Sequence, residues 1–235
     1  MQNGNGKAHT VTTMAELEAL YGEKPYPPAL LKEIDGINDT YRKLIEASPF
    51  FALATNGPDG LDCSPRGDPR GFVRVIDEHT IATPDRRGNN RIDSLRNLIH
   101  DPRVALLFLI PGVSETLRVM GRATISTDPA LCQSFLMEGK APRSVLVVAV
   151  EKVFYQCAKA IVRSKLWDPA TKVERNTLPT PGAILAEITH GEHGGPAHDA
   201  AAPERMKATI WSEVYPDGES VSIGRTTATV KSVKQ

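Results

Sequence analysis

The sequence predicts a mainly antiparallel β-barrel flanked by helices, a fold of the α+β class. Short apolar runs of strand length, separated by turn residues, recur from residue 50 onward, and hairpin spacing joins most neighbours. Only one clear helical segment interrupts these runs between residues 50 and 126, which argues against alternating βαβ units. The 235 residues are enough for one such barrel with helical additions.

The N-terminal part of the chain has helical patterns. Thr13 and Glu16 have the spacing of a capping box, and Gly22 is placed to end the short helix that follows them. Between residues 29 and 47, apolar residues recur at helical spacing, and Gly36 marks a point where this second helix can break. We therefore expect two helices before the first strand.

Seven strands are expected from the apolar runs, at residues 50–55, 61–66, 72–76, 80–83, 104–110, 116–126 and 144–155. Helices are expected at residues 90–100, 128–137, 180–189 and 203–214, with a glycine-rich loop at 191–198 and a polar tail at 215–235. The predicted domains are an N-terminal segment (1–28), a barrel domain (29–170) and a C-terminal helical extension with a tail (171–235).

Composition excludes several classes of function. The 28 basic and 28 acidic residues balance, so the chain has no basic excess of the kind that binds nucleic acid. We recognise no signal peptide and no apolar stretch of the ~20 residues that a membrane span needs. Three scattered cysteines without a C-x-x-C pair argue against a disulfide framework or a zinc site. We expect a cytoplasmic protein with no nucleic-acid or membrane partner.

Three histidines, His190, His193 and His198, lie in the glycine-rich loop. Their spacings are compatible with a metal site, but no carboxylate–histidine helix motif accompanies them. A solvent-exposed loop without a metal is the favoured interpretation.

A loop rich in arginine and asparagine, residues 84–91, joins a predicted strand to a predicted helix. The first turn of a helix has unpaired backbone N–H groups and a partial positive charge, which favour an anion. Arginine adds a fork of donors that matches a phosphate, and Gly88 lets the backbone approach a ligand closely. From these features alone, a phosphate cradle and a solvated basic loop are both open.

Two further basic elements are candidates for the same site. Arg66 ends the predicted strand 61–66 and would face the phosphate if the barrel closes, although a surface position is the simpler interpretation. Lys159, Arg163 and Trp167 recur at a helical spacing of four, which suits an anionic or planar ligand. The alternative is a surface helix with Trp167 as its anchor in the core.

The order of these segments resembles the pyridoxamine 5′-phosphate oxidase-like family of FMN-binding split barrels. The resemblance spans roughly residues 30–215 and depends on residues 50–55, 63–68, 86–91, 101–108 and 115–123. A closer similarity is to a subfamily of FMN-dependent proteins whose later motif resembles the segment from Cys157 to Trp167.

This resemblance implies a homodimer that holds two FMN molecules in clefts between its subunits, with a contact from the partner subunit near Thr116. The residues that it assigns to the cofactor are Ser64, Arg66, Gly67, Thr83, Arg86, Arg87, Asn89, Asn90, Arg91, Thr116, Lys159, Arg163 and Trp167.

The resemblance also implies an activity. We expect an FMN-dependent oxidoreductase acting on a small organic molecule, in which the flavin accepts a hydride and passes electrons to oxygen or another acceptor; a monooxygenase is one variant. The chain lacks the Ser-Arg-Lys loop and the terminal Arg-x-His pair of the true oxidases, so the substrate is open. The alternatives are a flavin-storage protein and a barrel that binds haem or deazaflavin.

Overall fold

The computed structural model describes residues 9–22, 24–207 and 210, and the chain divides into two compact units, residues 1–33 and 34–235. The first unit contains helices α1 (Met14–Tyr21) and α2 (Pro27–Leu31). The predicted capping box begins α1: the Thr13 hydroxyl accepts from the Glu16 N–H at 3.2 Å, and the Glu16 carboxylate accepts from the Thr13 N–H at 3.1 Å. Gly22, with a φ of 52°, ends the helix as expected.

The second unit contains the barrel and seven helices among its described residues. The strands are β1 (Phe50–Gly57), β2 (Gly60–Gly67), β3 (Arg74–Asp77), β4 (Thr80–Asp85), β5 (Arg103–Leu109), β6 (Thr116–Ser126) and β7 (Ser144–Gln156). The helices are α3 (Asp39–Ala47), α4 (Asp93–His100), α5 (Pro129–Ser134), α6 (Lys159–Ser164), α7 (Pro181–Ile188), α8 (Gly195–Ala200) and α9 (Ala202–Lys207). Two 3₁₀ turns, Pro169–Thr171 and Arg175–Thr177, lie between α6 and α7.

All seven strands join one antiparallel sheet in the order β2-β1-β5-β6-β7-β4-β3. Alternate side chains of β1, among them Phe51 and Leu53, point into a common core. There the Phe51 ring packs against those of Phe72 and Phe108, with centroids 5.7 and 5.2 Å away. The sheet is a split barrel, and the predicted α+β class is confirmed.

The register of the longest strand pair shifts once. β6 and β7 pair from Thr116 to Ser126, but Met120 lies opposite Lys152 while the next residue, Gly121, lies opposite Val150. Glu151 is therefore the extra residue of a β-bulge, which increases the local twist of the strands.

The expected helix over residues 29–47 is wrong as a continuous element. α2 ends at Leu31, and Ile34 instead forms a backbone bridge with Val153 in β7. α3 then begins beyond Asn38, whose side chain accepts from the Tyr41 N–H at 2.8 Å. The break includes Gly36, the residue that the helical pattern had marked.

Other element boundaries also differ from expectation. α4 begins at Asp93 rather than near Asn90, and α5 ends at Ser134. The glycine-rich loop is shorter than expected because its second half forms α8, which includes His198. The expected helix over 203–214 is described only through α9, and the expected tail lies outside the described residues. None of the described helices is both long and apolar enough to span a membrane.

Asp101 connects the end of α4 to two strands. Its carboxylate accepts hydrogen bonds from Arg103 Nε in β5 at 2.9 Å and from Asn56 Nδ2 in β1 at 3.1 Å. Hydrogen bonds from Arg103 are the main reason that the pKa of Asp101 lies well below its usual range. The fold therefore stabilises the ionised form of Asp101 relative to the protonated form.

We expect Asp101→Asn to make the stability of the protein depend less on pH between pH 6 and pH 2. Because folding lowers the Asp101 pKa, its ionised form stabilises the fold above the usual aspartate range, and this contribution is lost as the pH falls below about 4. Urea unfolding midpoints measured from pH 6 down to pH 2 should fall more steeply for the native chain than for the variant. Asp59→Asn, in the exposed turn between β1 and β2, is the matched control. Parallel profiles for Asp101→Asn and the native chain would contradict this assignment.

Candidate functional site

A polar cleft of about 260 Å³ lies where the ends of β2 and β4 approach the starts of α4 and β7. Its lining has five arginines and one aspartate, so positive charge dominates. The lining residues are Ser64, Arg66, Asp85, Arg86, Arg87, Gly88, Asn89, Asn90, Arg91, Ile92, Leu95, Arg143 and Ser144.

A larger cavity of about 450 Å³ lies beside α7 and α8, but its chemistry is different. Its described lining contains no lysine or arginine, and Asp199 is the one acidic residue in it. That carboxylate already accepts from the Thr180 hydroxyl and from the Gly182 N–H, which lowers its pKa. Asp199 thus helps to cap α7, and the described lining of this cavity has no cation to attract an anion.

Three of the cleft arginines already have carboxylate partners. Arg66 Nη1 donates to Asp85 Oδ1 at 2.9 Å, and Arg86 Nε donates to Asp68 Oδ2 at 2.6 Å. Arg91 pairs with Asp93 in the first turn of α4 and is largely exposed. These pairs reduce the charge that is available to a ligand.

The other two arginines, Arg87 and Arg143, are exposed and have neither an ion pair nor a hydrogen bond with the described residues. The α4 N-terminus has no side-chain cap, so its first N–H groups add further positive potential. The positive potential of the cleft therefore comes mainly from Arg87, Arg143 and the start of α4.

Two buried polar atoms near the cleft have no hydrogen-bond partner among the described residues. They are Arg66 Nε and Thr83 Oγ1. Thr83, which is 3% exposed, lies two residues before Asp85 on β4, so the two side chains share a face of the strand. A buried polar group without a partner costs about 1–3 kcal/mol. A ligand or water that reaches these atoms removes that cost.

The loop from Arg86 to Ile92 turns tightly and leaves open space beside Gly88. Asn90 has a φ of 61°, and the Asn89 side chain accepts from the Arg91 N–H at 3.0 Å. A Cβ on Gly88 would meet no atom of the described residues within 4 Å, so space remains beside it. Gly67 is different: a Cβ there would lie 3.3 Å from the Pro49 carbonyl, so this glycine permits a close approach of backbone.

Four predicted site residues lie away from this cleft within one chain: Thr116, Lys159, Arg163 and Trp167. Thr116 pairs with Gln156 at the end of β7 opposite to Ser144. β7 has 13 residues, so its two ends lie up to about 40 Å apart. Lys159 and Arg163, both exposed, follow on α6. Their assignment to the cofactor remains a prediction.

The predicted helical face does not reach Trp167. α6 ends at Ser164, and Lys165 has a φ of 52°, which terminates the helix. The half-buried Trp167 instead donates from Nε1 to the Val113 carbonyl at 2.8 Å. This contact agrees with the alternative in which Trp167 is an anchor.

Three residues of the cleft wall were not singled out from the sequence. They are Asp85, Ser144 and the cation Arg143. They come together because β4 pairs with β7, with Asp85 opposite Ser144. Arg143 stands alone in its segment, so neither spacing nor motif distinguishes it. Only the strand register could have placed it in the cleft.

The fold and the cleft together define a split-barrel protein with a cleft lined mainly by positive charge. Residues 37–157, just over half of the chain, match the family described as pyridoxamine 5′-phosphate oxidase. The chain belongs to this family, as the sequence predicted.

Solved structures that resemble the chain cover about half of it or slightly more. HupZ of Group A Streptococcus has 20% identity and a TM-score of 0.41 over 51% of this chain and 93% of its own. An FMN-binding protein from Syntrophomonas wolfei has 13% identity and a TM-score of 0.38 over 60% of this chain and 97% of its own. General Stress Protein 26 from Bacillus anthracis has 17% identity and a TM-score of 0.37 over 48% and 88%. Among curated proteins, no significant match is found.

Proposed function

We propose that this protein is a homodimeric FMN-dependent oxidoreductase that acts on a small organic molecule. The observation that carries the proposal is the set of unused donors around the cleft. Among the described residues, Arg87 and Arg143 have no side-chain partner, and Arg66 Nε and Thr83 Oγ1 are buried without one. A phosphate monoester, with about 1.5 to 2 negative charges at neutral pH, matches the two unpaired cations.

The residues of the cleft have distinct tasks in this proposal. Arg87 and Arg143 bind the phosphate together with the first N–H groups of α4. Arg66 donates from Nε to an acceptor on the ligand, and the Thr83 hydroxyl forms the hydrogen bond that it lacks. The loop residues Asn89, Asn90 and Arg91 shape the rim. Bound FMN supplies the capacity to accept a hydride and to pass electrons on.

The size of the cleft supports a site that is shared between two subunits. At about 260 Å³, it is smaller than the roughly 300–1,000 Å³ of most ligand sites. One chain would enclose the phosphate end, and a second chain would complete the site with the group that includes Thr116, Lys159, Arg163 and Trp167. Sedimentation of the FMN-loaded protein tests this: a monomer that retains tightly bound FMN would contradict the shared site.

The decisive experiment is an absorption spectrum of the purified protein, followed by mass spectrometry of what it releases on denaturation. We expect the spectrum of a flavin and the mass of FMN, either as purified or after incubation with FMN. A protein that stays colourless after that incubation would contradict the proposal. A haem spectrum or the mass of a deazaflavin would show that haem or a deazaflavin, and not FMN, is the cofactor. Bound FMN that no nicotinamide or organic donor reduces would favour storage.

A further inference from the structure

Two ion pairs connect the ends of β2 and β4 with opposite charge order. In one, the arginine is Arg66 of β2 and the aspartate is Asp85 of β4. In the other, the aspartate is Asp68, just after β2, and the arginine is Arg86, just after β4. β2 and β4 are not neighbours in the sheet, so these side chains bridge a gap that no ladder of backbone hydrogen bonds spans.

The two pairs have different surroundings. Arg66 and Asp85 both line the cleft, and Arg66 retains its unused Nε donor there. Asp68 does not line the cleft, and its side chain is only 3% exposed. The Arg86 guanidinium donates to Asp68 and, through Nη1, to the Phe135 carbonyl at 2.7 Å, just beyond α5. Two of its nitrogens, Nε and Nη1, therefore donate to the protein although Arg86 also lines the cleft.

We propose that the two pairs have opposite effects on the ligand: Asp85 competes with it for Arg66, whereas Asp68 and Arg86 are positioning residues that hold the loop 86–92 in place. The identity of the anion rests on the proposed function. Without the Asp85 carboxylate, Arg66 is a cation that lacks its partner and attracts an anion more strongly. Without the Asp68 carboxylate, Arg86 loses the partner that fixes the start of the loop.

The test compares Asp85→Asn with Asp68→Asn, two nearly isosteric changes that each remove one negative charge. Affinities for FMN, for riboflavin and for inorganic phosphate are measured by titration of the full chain. We expect Asp85→Asn to raise the affinity for FMN about tenfold and Asp68→Asn to lower it about tenfold, the change that one charge-assisted hydrogen bond makes. Riboflavin, which has no phosphate, should show little change with Asp68→Asn. Asp59→Asn, in the exposed β1–β2 turn, should match the native chain in every titration.

The direction of each change decides the result. If Asp68→Asn raises the affinity for FMN, Arg86 binds FMN directly and Asp68 had neutralised its charge. The positioning role is then overturned. If Asp85→Asn lowers or leaves unchanged the affinity, the competition is overturned. Equal losses for FMN and riboflavin would indicate a general loss of structure and would also overturn the positioning role.

Arg86→Lys gives a second test if Asp68→Asn does not fold. The lysine keeps the charge but cannot bond Asp68 and the Phe135 carbonyl with the same planar fork. We expect a loss of FMN affinity, whereas unchanged affinity would show that the charge alone matters and would overturn the positioning role.

Failure of the proposed function is recognised separately. It fails if the native chain binds neither FMN nor phosphate. Amide hydrogen exchange of the ligand-free protein then still decides the role of Asp68, because its replacement should accelerate exchange over residues 86–92 while Asp59→Asn does not. Unchanged exchange would overturn that role. Phosphate binding by Asp85→Asn alone would support the competition, and no binding by that variant would overturn it.

Discussion

Arg87→Ala and Arg143→Ala are each expected to lower the affinity for FMN about tenfold or more, and the double variant further. A hydrogen bond to a charged group contributes about 1.5–3 kcal/mol, and 1.4 kcal/mol corresponds to a factor of ten. These arginines have no partner among the described residues, so their replacement leaves no buried group unpaired. The fold should therefore survive, and the loss should be confined to the ligand. Fluorescence titration of FMN measures it.

Two controls separate phosphate binding from a general effect of charge. Arg96→Ala removes an exposed arginine of α4 that does not line the cleft, and it should change the affinity for FMN little. Riboflavin lacks the phosphate, so its affinity should be nearly equal in all variants. Added salt should reduce the difference between the native chain and Arg87→Ala, since the lost contact is largely electrostatic. An unchanged FMN titration for the double variant would remove these two arginines from the site.

The strands were predictable because their determinants are local. In β1, Phe51, Leu53 and Thr55 alternate with more exposed residues, and in sequence the same run is apolar and bounded by turn residues. The capping box at Thr13 was also visible, because its two partners lie three residues apart. Features that depend on short spacing were therefore found without the structure.

Long-range pairing determined the features that the sequence analysis missed. Residues 32–38 leave the helical conformation where Ile34 pairs with Val153, more than a hundred residues away. Arg143 enters the cleft only because β7 pairs with β4. Composition identified the basic loop, but not which of its arginines are already paired. Arg86 and Arg87 are adjacent and chemically identical, and only the tertiary contact with Asp68 distinguishes their roles.

Gly121 is another residue whose role only the register reveals. In the sequence it lies within a predicted strand, and a bulge is one of several interpretations of a glycine there. In the structure it follows the register shift against β7, and a Cβ on it would lie 2.0 Å from the Ala149 carbonyl oxygen and 3.2 Å from Val150 Cα. Both neighbours are backbone atoms of the paired strand, so no side chain can rotate away to make room.

We expect Gly121→Ala to destabilise the protein by about 3 kcal/mol, since the added methyl group must displace the β7 backbone. For a chain of this size, that corresponds to a decrease in melting temperature of roughly 6–12 °C. Gly88→Ala is the matched control. Its Cβ would meet no atom in the part of the chain that the structure describes, so this variant should change the melting temperature of the ligand-free protein little. Thermal unfolding followed by circular dichroism compares the two. If both variants melt together with the native chain, the β7 backbone yields at the bulge. The close approach of β6 and β7 at Gly121 would then not be required for the stability of the barrel.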